Sequence, residues 1–253
     1  MTESEKHHFE TDGYHVIEGF LQGKLLDEIR RESEELAAAD YVTGDLRVWH
    51  ERALFRRKAF RELISLSLFF DFPAELVGGD VQLLAFDLLF HKPGKGGIHR
   101  HRDVTFLCNK TVSMNMGIYL YDTGECPLRL IPGSHRNVDV PENLNAPHPD
   151  EVVMPVRAGT AVFFDAGLLH SGSVNESEKN QLGVFAFFGH YWVKRMDNYF
   201  TQPLPASLLQ TKNPKIRQLL GLELQEGITS YHGDNEGYNR VRGEPGIDFV
   251  EES

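Results

Sequence analysis

The sequence predicts a mostly β protein, a sandwich or barrel core with helices packed before and after it. Three observations predict this. Between Val81 and Trp192 the chain breaks into short β-branched or aromatic runs (VQLLAFDLLFH, TVSMNMGIYLY, PLRLIP, TAVFF, LGVFAFFGHYW) punctuated by Gly, Pro, Asn and Asp. No alternation of strands with helices occurs over 81–193, and no G-x-G-x-x-G follows a strand. Both facts count against a doubly wound, dinucleotide-binding fold. Helical periodicity is confined to the flanks.

Taken in order, residues 1–22 open with a polar stretch and then YHVIEGFL, where Tyr14, Val16 and Ile17 predict a short strand and Gly19 a turn. Leu25 to Ala39 has apolar residues at 25, 26, 29, 36 and 37 with charges between, the spacing of an amphipathic helix. Residues 47–60 are basic and aromatic, and 60–77 read as a second helix. Arg47, Arg52, Arg56, Arg57, Lys58 and Arg61 are read as a solvated helix face rather than an anion site. After the strands, Asn213–Leu220 predicts a helix with Pro214 in its first turn. A Gly-rich polar tail follows. The expected organisation is one domain: a helical layer over 1–78, the β core over 79–195, and a helix with its tail over 196–253.

Composition narrows the classes of function. The 253 residues are 41% hydrophobic and 25% charged, with 17 Phe, so a large core is available and wholesale disorder is excluded. No run approaches ~18 apolar residues, which excludes a spanning helix. A net charge of −11 disfavours a nucleic-acid partner and favours solubility, and a monomer or weak dimer is the default expectation. Cys108 and Cys126 make no disulfide framework and fit no zinc spacing; they are read as core or near-core thiols. With a start, MTESEKHHFETDGYH, that lacks a basic-then-apolar leader, they point to a reducing cytoplasm.

Among the twelve histidines, three positions carry chemistry. His101 and Asp103 lie two apart in GKGGIHRHRDVTFLC, so in an extended chain they share a face. His170 ends the run GTAVFFDAGLLH, 67 residues after the aspartate. Two imidazoles and one carboxylate on one face of an octahedral ion leave open positions, the arrangement of non-haem Fe(II) oxygenases. Open positions admit O2 and a chelating cosubstrate. An H-x-D pair alone is a weak signal; one entering a β-rich region, with a His at the end of a later apolar strand, is much stronger.

The sequence resembles the phytanoyl-CoA dioxygenase family of Fe(II)/2-oxoglutarate oxygenases. The resemblance rests on FETDGYHVIEGFL at 9–21, HRD at 101–103, PLRLIPGSHR at 127–136, GTAVFFDAGLLHSGSVNES at 159–177 and NPKIRQLLGL at 213–222. It implies a double-stranded β-helix (jelly-roll, cupin-like) core with helices outside. It further implies His101, Asp103 and His170 as ligands of Fe(II), 2-oxoglutarate as cosubstrate, and a small organic metabolite and O2 as substrates. Asp at 103 argues for hydroxylation over halogenation. Tyr119 matches an aromatic that lines the family's cosubstrate pocket, with core packing as the competing reading.

One position departs from the family. An Arg usually stands eleven residues after the distal His and pairs with the far carboxylate of 2-oxoglutarate; here that residue is Gln181. An amide can hydrogen-bond a carboxylate but does not neutralise it. Three readings follow. Another cation takes the task, with Arg129, Arg102, Lys194 and Arg195 as candidates, although alternation turns Arg102 away from the metal. Alternatively the enzyme dispenses with 2-oxoglutarate, or the site binds metal without redox turnover.

A rival begins at His99, since H-x-H opens cupin metal sites; cupins expect a Glu where Thr105 and Phe106 stand, so His99 is read as support or surface. Asp165, Asn175 and Ser177 are read as turn residues, Gly133 as a tight turn, His135 as structural, and His190, Tyr191 and Trp192 as aromatic packing. Residues 40–60 and 230–245 are expected to wall the pocket mouth.

Overall fold

The N-terminal polar stretch is a helix, α1 (Glu3–Asp12). Thr2 accepts a hydrogen bond from the Glu5 amide while the Glu5 carboxylate reaches back to the Thr2 amide. The T-x-x-E pattern that makes this capping box is present in the sequence, but no apolar periodicity accompanies it, and the helix went unforeseen. The computed structural model describes residues 1–39, 46–78, 81–104, 107–124, 126–137, 143–144, 146–193 and 204–222. The expected pocket walls at 40–45 and 230–245, and the candidates Lys194 and Arg195, lie outside them.

Strand β1 (Tyr14–Ile17) and helix α2 (Gly23–Ala39) stand where the pattern put them. The basic segment divides into β2 (Leu46–His50) and α3 (Glu51–Phe55). The helix expected over 60–77 is two, α4 (Lys58–Leu63) and α5 (Ser67–Val77), with a break in which Leu66 is extended. Two of the segment's arginines serve structure: Arg57 reaches the Glu35 carboxylate at 2.8 Å and Arg61 the Phe55 carbonyl at 2.7 Å. Then come β3 (Val81–His91), β4 (Gly96–His101), β5 (Ser113–Tyr119), β6 (Leu128–Leu130), β7 (Val152–Met154), β8 (Ala161–Asp165), β9 (His170–Val174) and β10 (Gln181–His190). Short helices α6 (Ala206–Leu209) and α7 (Pro214–Leu219) close the described chain, with Asn213 capping α7. No described helix is long and apolar enough to cross a membrane.

The strands form two antiparallel sheets, β1-β8-β5-β10-β3-β2 and β4-β9-β6-β7. This is the jelly-roll arrangement expected. The larger sheet has two different faces. Phe86, Leu88, Met114, Met116, Ile118, Phe163, Val184 and Phe188 point outward and are fully buried against Ile29, Phe55, Phe60, Phe69 and Leu219 of the helices. Each such side chain contributes about 1.5–3 kcal/mol by leaving water. The alternate residues face the smaller sheet, where Tyr119, Val162 and Phe164 meet Leu128 and Leu130. Stability is therefore concentrated on the helix side, and the space between the sheets is left for a site.

The outer face of the smaller sheet is tied by charge. Glu151 accepts from Arg100 and, at 3.1 Å, from Arg129. Burial by itself would raise the Glu151 carboxyl, yet the two guanidinium groups outweigh it and hold it below its ordinary value. A carboxylate depressed on folding stabilises above its unfolded pKa, and that contribution fades as pH falls through the folded value. Glu151→Ala is expected to cost about 2 kcal/mol in denaturant titration at neutral pH, because buried Arg100 keeps its bonds to the Leu144 and Ala146 carbonyls but loses its counter-ion. The loss should shrink on acidification, and an equal loss at pH 3 and pH 7 would contradict this account.

Candidate metal centre

A β-bulge builds the site. β4 pairs with β9 in the register Gly96↔Val174, Ile98↔Gly172, His101↔His170, so three steps on β4 match two on β9. Without the extra residue, alternation from the inward-facing Ile98 would aim Arg100 and Arg102 between the sheets. With it, Arg100 goes outward to Glu151, and His101 comes inward opposite His170. Asp103 follows two residues later, its amide donating to the Ala166 carbonyl at 2.9 Å.

Among the described residues, His101, Asp103 and His170 form a group whose ligand atoms all lie within 4.8 Å of one another. His101 Nε2 is 3.4 Å from Asp103 Oδ1, and His170 Nε2 is 3.6 Å from Oδ2. Metal–ligand bonds of about 2.1 Å at right angles place donor atoms about 3 Å apart, so a small contraction closes the set on one ion. The tautomers also fit. Nδ1 of His101 is 2.7 Å from the His99 carbonyl and Nδ1 of His170 is 2.9 Å from that of Leu168. Each Nδ1 thus carries the hydrogen, and each Nε2 keeps its lone pair for a metal. His99 is itself exposed and outside the group; its carbonyl is what serves the site.

Environment separates the two imidazoles. In the metal-free protein the Asp103 carboxylate favours a protonated ring and raises the pKa of His101, whereas burial lowers that of His170, whose ring packs 4.7 Å from Phe164 between centroids. Asn115 donates to Asp103 Oδ2 at 2.6 Å. It was not singled out in the sequence. The available signal was its place in SMNMGIY, on the same alternating face as Tyr119.

The PGSH segment holds the start of β9. Ser134 Oγ accepts from the Leu169 amide at 2.8 Å, and the His135 ring meets the Glu10 carbonyl. Gly133 turns there at φ 73°, a left-handed conformation that glycine adopts without strain. Asp165 accepts from the Gly167 amide and Asn175 from the Ser177 amide, both as turn residues. Cys108, expected near the core, is exposed, because it sits in the loop after Asp103 rather than in a strand.

The triad opens into a cavity of ≈ 220 Å³ between the sheets. Ligand pockets usually span ~300–1,000 Å³, so this is a small one. Tyr119, Phe164, Phe185 and Gln181 line it. Burial pushes the Tyr119 phenol upward, keeping it neutral. Gln181 donates to the Asp122 carbonyl at 3.2 Å. The other anchor candidates point elsewhere. Arg102 donates to the carbonyls of Ser134 and Asn137, as alternation implied. Arg129 stands on the outer face, on Glu151 and Ser173 Oγ, because its neighbours Leu128 and Leu130 take the inner one. Neither lines the cavity, and no Lys or Arg does so among the described residues.

The family model for phytanoyl-CoA dioxygenase (PhyH) matches residues 9–182. The chain belongs to the phytanoyl-CoA dioxygenase family. The match runs from α1 through the first residues of β10 and so takes in all three clustered ligand candidates. Solved structures share the fold at low identity. HygX from Streptomyces hygroscopicus, with nickel and 2-oxoglutarate bound, is 17% identical over 78% of this chain and 90% of its own, with a TM-score of 0.68. SnoN, described as a non-haem α-ketoglutarate-dependent epimerase from nogalamycin biosynthesis, is 19% identical over 81% and 90%, TM-score 0.65. AviO1 from Streptomyces viridochromogenes Tue57 is 22% identical over 80% and 97%, TM-score 0.61.

His101→Ala is expected to abolish tight metal binding in calorimetric titration with Mn(II), with stability changed by less than about 1 kcal/mol because the side chain is partly exposed. His170→Ala should also abolish it, at a larger stability cost of about 1–3 kcal/mol, because its ring is buried on Phe164. Asn115→Ala should weaken metal affinity about 10–100-fold, as expected for a group that orients a ligand. Unchanged affinity in both histidine variants would remove the metal assignment.

Proposed function

We propose that this protein is an Fe(II)-dependent, 2-oxoglutarate-dependent oxygenase that hydroxylates or otherwise oxidises a small organic metabolite. The observation that carries the reading is the His101–Asp103–His170 group, tautomers set and Nε2 atoms converging, at a cavity between two sheets. Membership of the phytanoyl-CoA dioxygenase family supports it. In this reading bound iron, O2 and 2-oxoglutarate supply the oxidising power, the keto acid leaving as succinate and CO2.

The chain's own part is positioning. His101 and His170 present neutral nitrogens, and Asp103 offers one carboxylate oxygen while Asn115 fixes its plane. Leu128, Phe164 and Phe185 line the cavity with apolar surface and exclude water, which favours oxidation of substrate over uncoupled side reactions. The carboxylate at position 103 occupies the place a halide would need, which favours hydroxylation over halogenation. SnoN is described as an epimerase, so the fold by itself does not fix the reaction outcome. The exposed, unpaired Cys108 fits a reducing compartment, and the cytoplasm is our assignment.

A second reading, an oxygenase of the same fold that does not use 2-oxoglutarate, is favoured by Gln181 and by the absence of Lys and Arg among the described lining residues. Oxygen uptake and succinate formation by the iron-loaded protein, with and without 2-oxoglutarate, separate the two. The proposal expects iron-dependent succinate that disappears in His101→Ala. Oxygen uptake without consumption of 2-oxoglutarate would support the second reading, and no uptake at all would leave a metal-binding protein without redox turnover. Gln181→Arg should tighten 2-oxoglutarate binding about tenfold by adding a charge-assisted pair; an unchanged Kd would count against a 2-oxoglutarate pocket here.

A further inference from the structure

We propose that His91 binds the far carboxylate of 2-oxoglutarate, supplying the polar anchor that Gln181 by itself does not. The inference rests on the 2-oxoglutarate reading above.

Position comes first. His91 and Gln181 are register partners across β3 and β10, so both side chains stand side by side on the cavity face. Gly96, against which the His91 ring packs, lies five residues before His101 along β4. His91 therefore marks the end of the cavity away from the triad. A keto acid held at the triad would extend its second carboxylate along the cavity toward that end.

The second observation is an unmet donor or acceptor. His91 Nε2 is shielded from water and has no hydrogen-bond partner among the described residues. Buried polar atoms are nearly always paired, because an unpaired one forfeits its hydration with nothing in return. His91 lines the cavity, so a ligand bound there, with the ring turned toward it, is the partner this nitrogen lacks. The Gln181 amide is already engaged with the Asp122 carbonyl, whereas the imidazole is not engaged through Nε2.

The third observation is that the fold makes room for this ring. Gly96 has φ 86°, and a Cβ built there would fall 2.7 Å from His91 Nδ1. Any side chain at 96 would displace the imidazole, so glycine there leaves the ring its place. Burial lowers the His91 pKa, so the ring waits uncharged in the apolar cavity. An arriving carboxylate brings the opposite charge and favours the N–H donor form. An imidazole is a weaker anchor than a guanidinium fork, which suits a chain that carries Gln at the usual anchor position.

The test compares two keto acids that share the chelating end and differ in the far carboxylate. The full chain, loaded with Mn(II), is titrated calorimetrically with 2-oxoglutarate and with 2-oxobutyrate. Wild type is expected to prefer 2-oxoglutarate by about tenfold or more, the range of a hydrogen bond to a charged group. His91→Phe should erase most of that preference while 2-oxobutyrate affinity stays within about twofold. His91→Gln, which keeps an N–H at this place, should retain part of it. Should the Phe variant not fold, His91→Leu reads the same loss. Full preference in the folded Phe or Leu variant would overturn the proposal. Equal affinity of wild type for both acids would overturn it too, leaving the metal site standing. Failure of 2-oxoglutarate to bind the metal-loaded wild type would overturn the underlying 2-oxoglutarate reading instead.

Discussion

The antiparallel pairing of His101 with His170, one residue out of simple alternation, is the constraint on which the site depends. Backbone hydrogen bonds of a sheet fix strand spacing at about 4.8 Å. Two imidazoles in register on adjacent strands are thereby held side by side, with ring centroids 4.4 Å apart. Neither side chain has to search for the other. The extra residue in β4 sends Arg100 outward and His101 inward, and Asp103 completes the group. A bulge costs ladder regularity, and here it places three potential ligands on one side of one cavity.

The same sheet geometry separates stability from chemistry. Phe86, Met116, Phe163 and Val184 bury the outer face of the larger sheet against helices, while Asn115, Tyr119 and Phe185 occupy the inner face of the same strands. A strand that alternates in this way can carry polar groups on one side without thinning its core on the other. The smaller sheet does likewise with charge, as Arg100 and Arg129 meet Glu151 outside and Ile98, Leu128 and His170 face inward.

Much of the chain was legible because local patterns carried it. The 25–39 periodicity predicts α2, and the alternation in YHVI and TAVFF predicts β1 and β8. The H-x-D and distal His singled out the clustered residues. What escaped had weak or ambiguous local signals. α1 is polar almost throughout and is declared only by its Thr2–Glu5 cap. The break between α4 and α5 leaves no mark in the hydrophobic pattern, and Cys108 was misjudged from its residue type. Asn115 and His91 each needed a partner from a distant strand to acquire meaning.

By itself the sequence determined the β-rich class, the helical flanks and the three residues with metal-binding chemistry. These are properties of residue type, period and spacing, which are local along the chain. Only the tertiary structure decided which way each arginine faces, which asparagine steadies Asp103, and which imidazole stands beside Gln181. Those outcomes turn on strand register and on a single bulge. A shift of one residue exchanges the two faces of a strand, and residue spacing alone does not fix that choice.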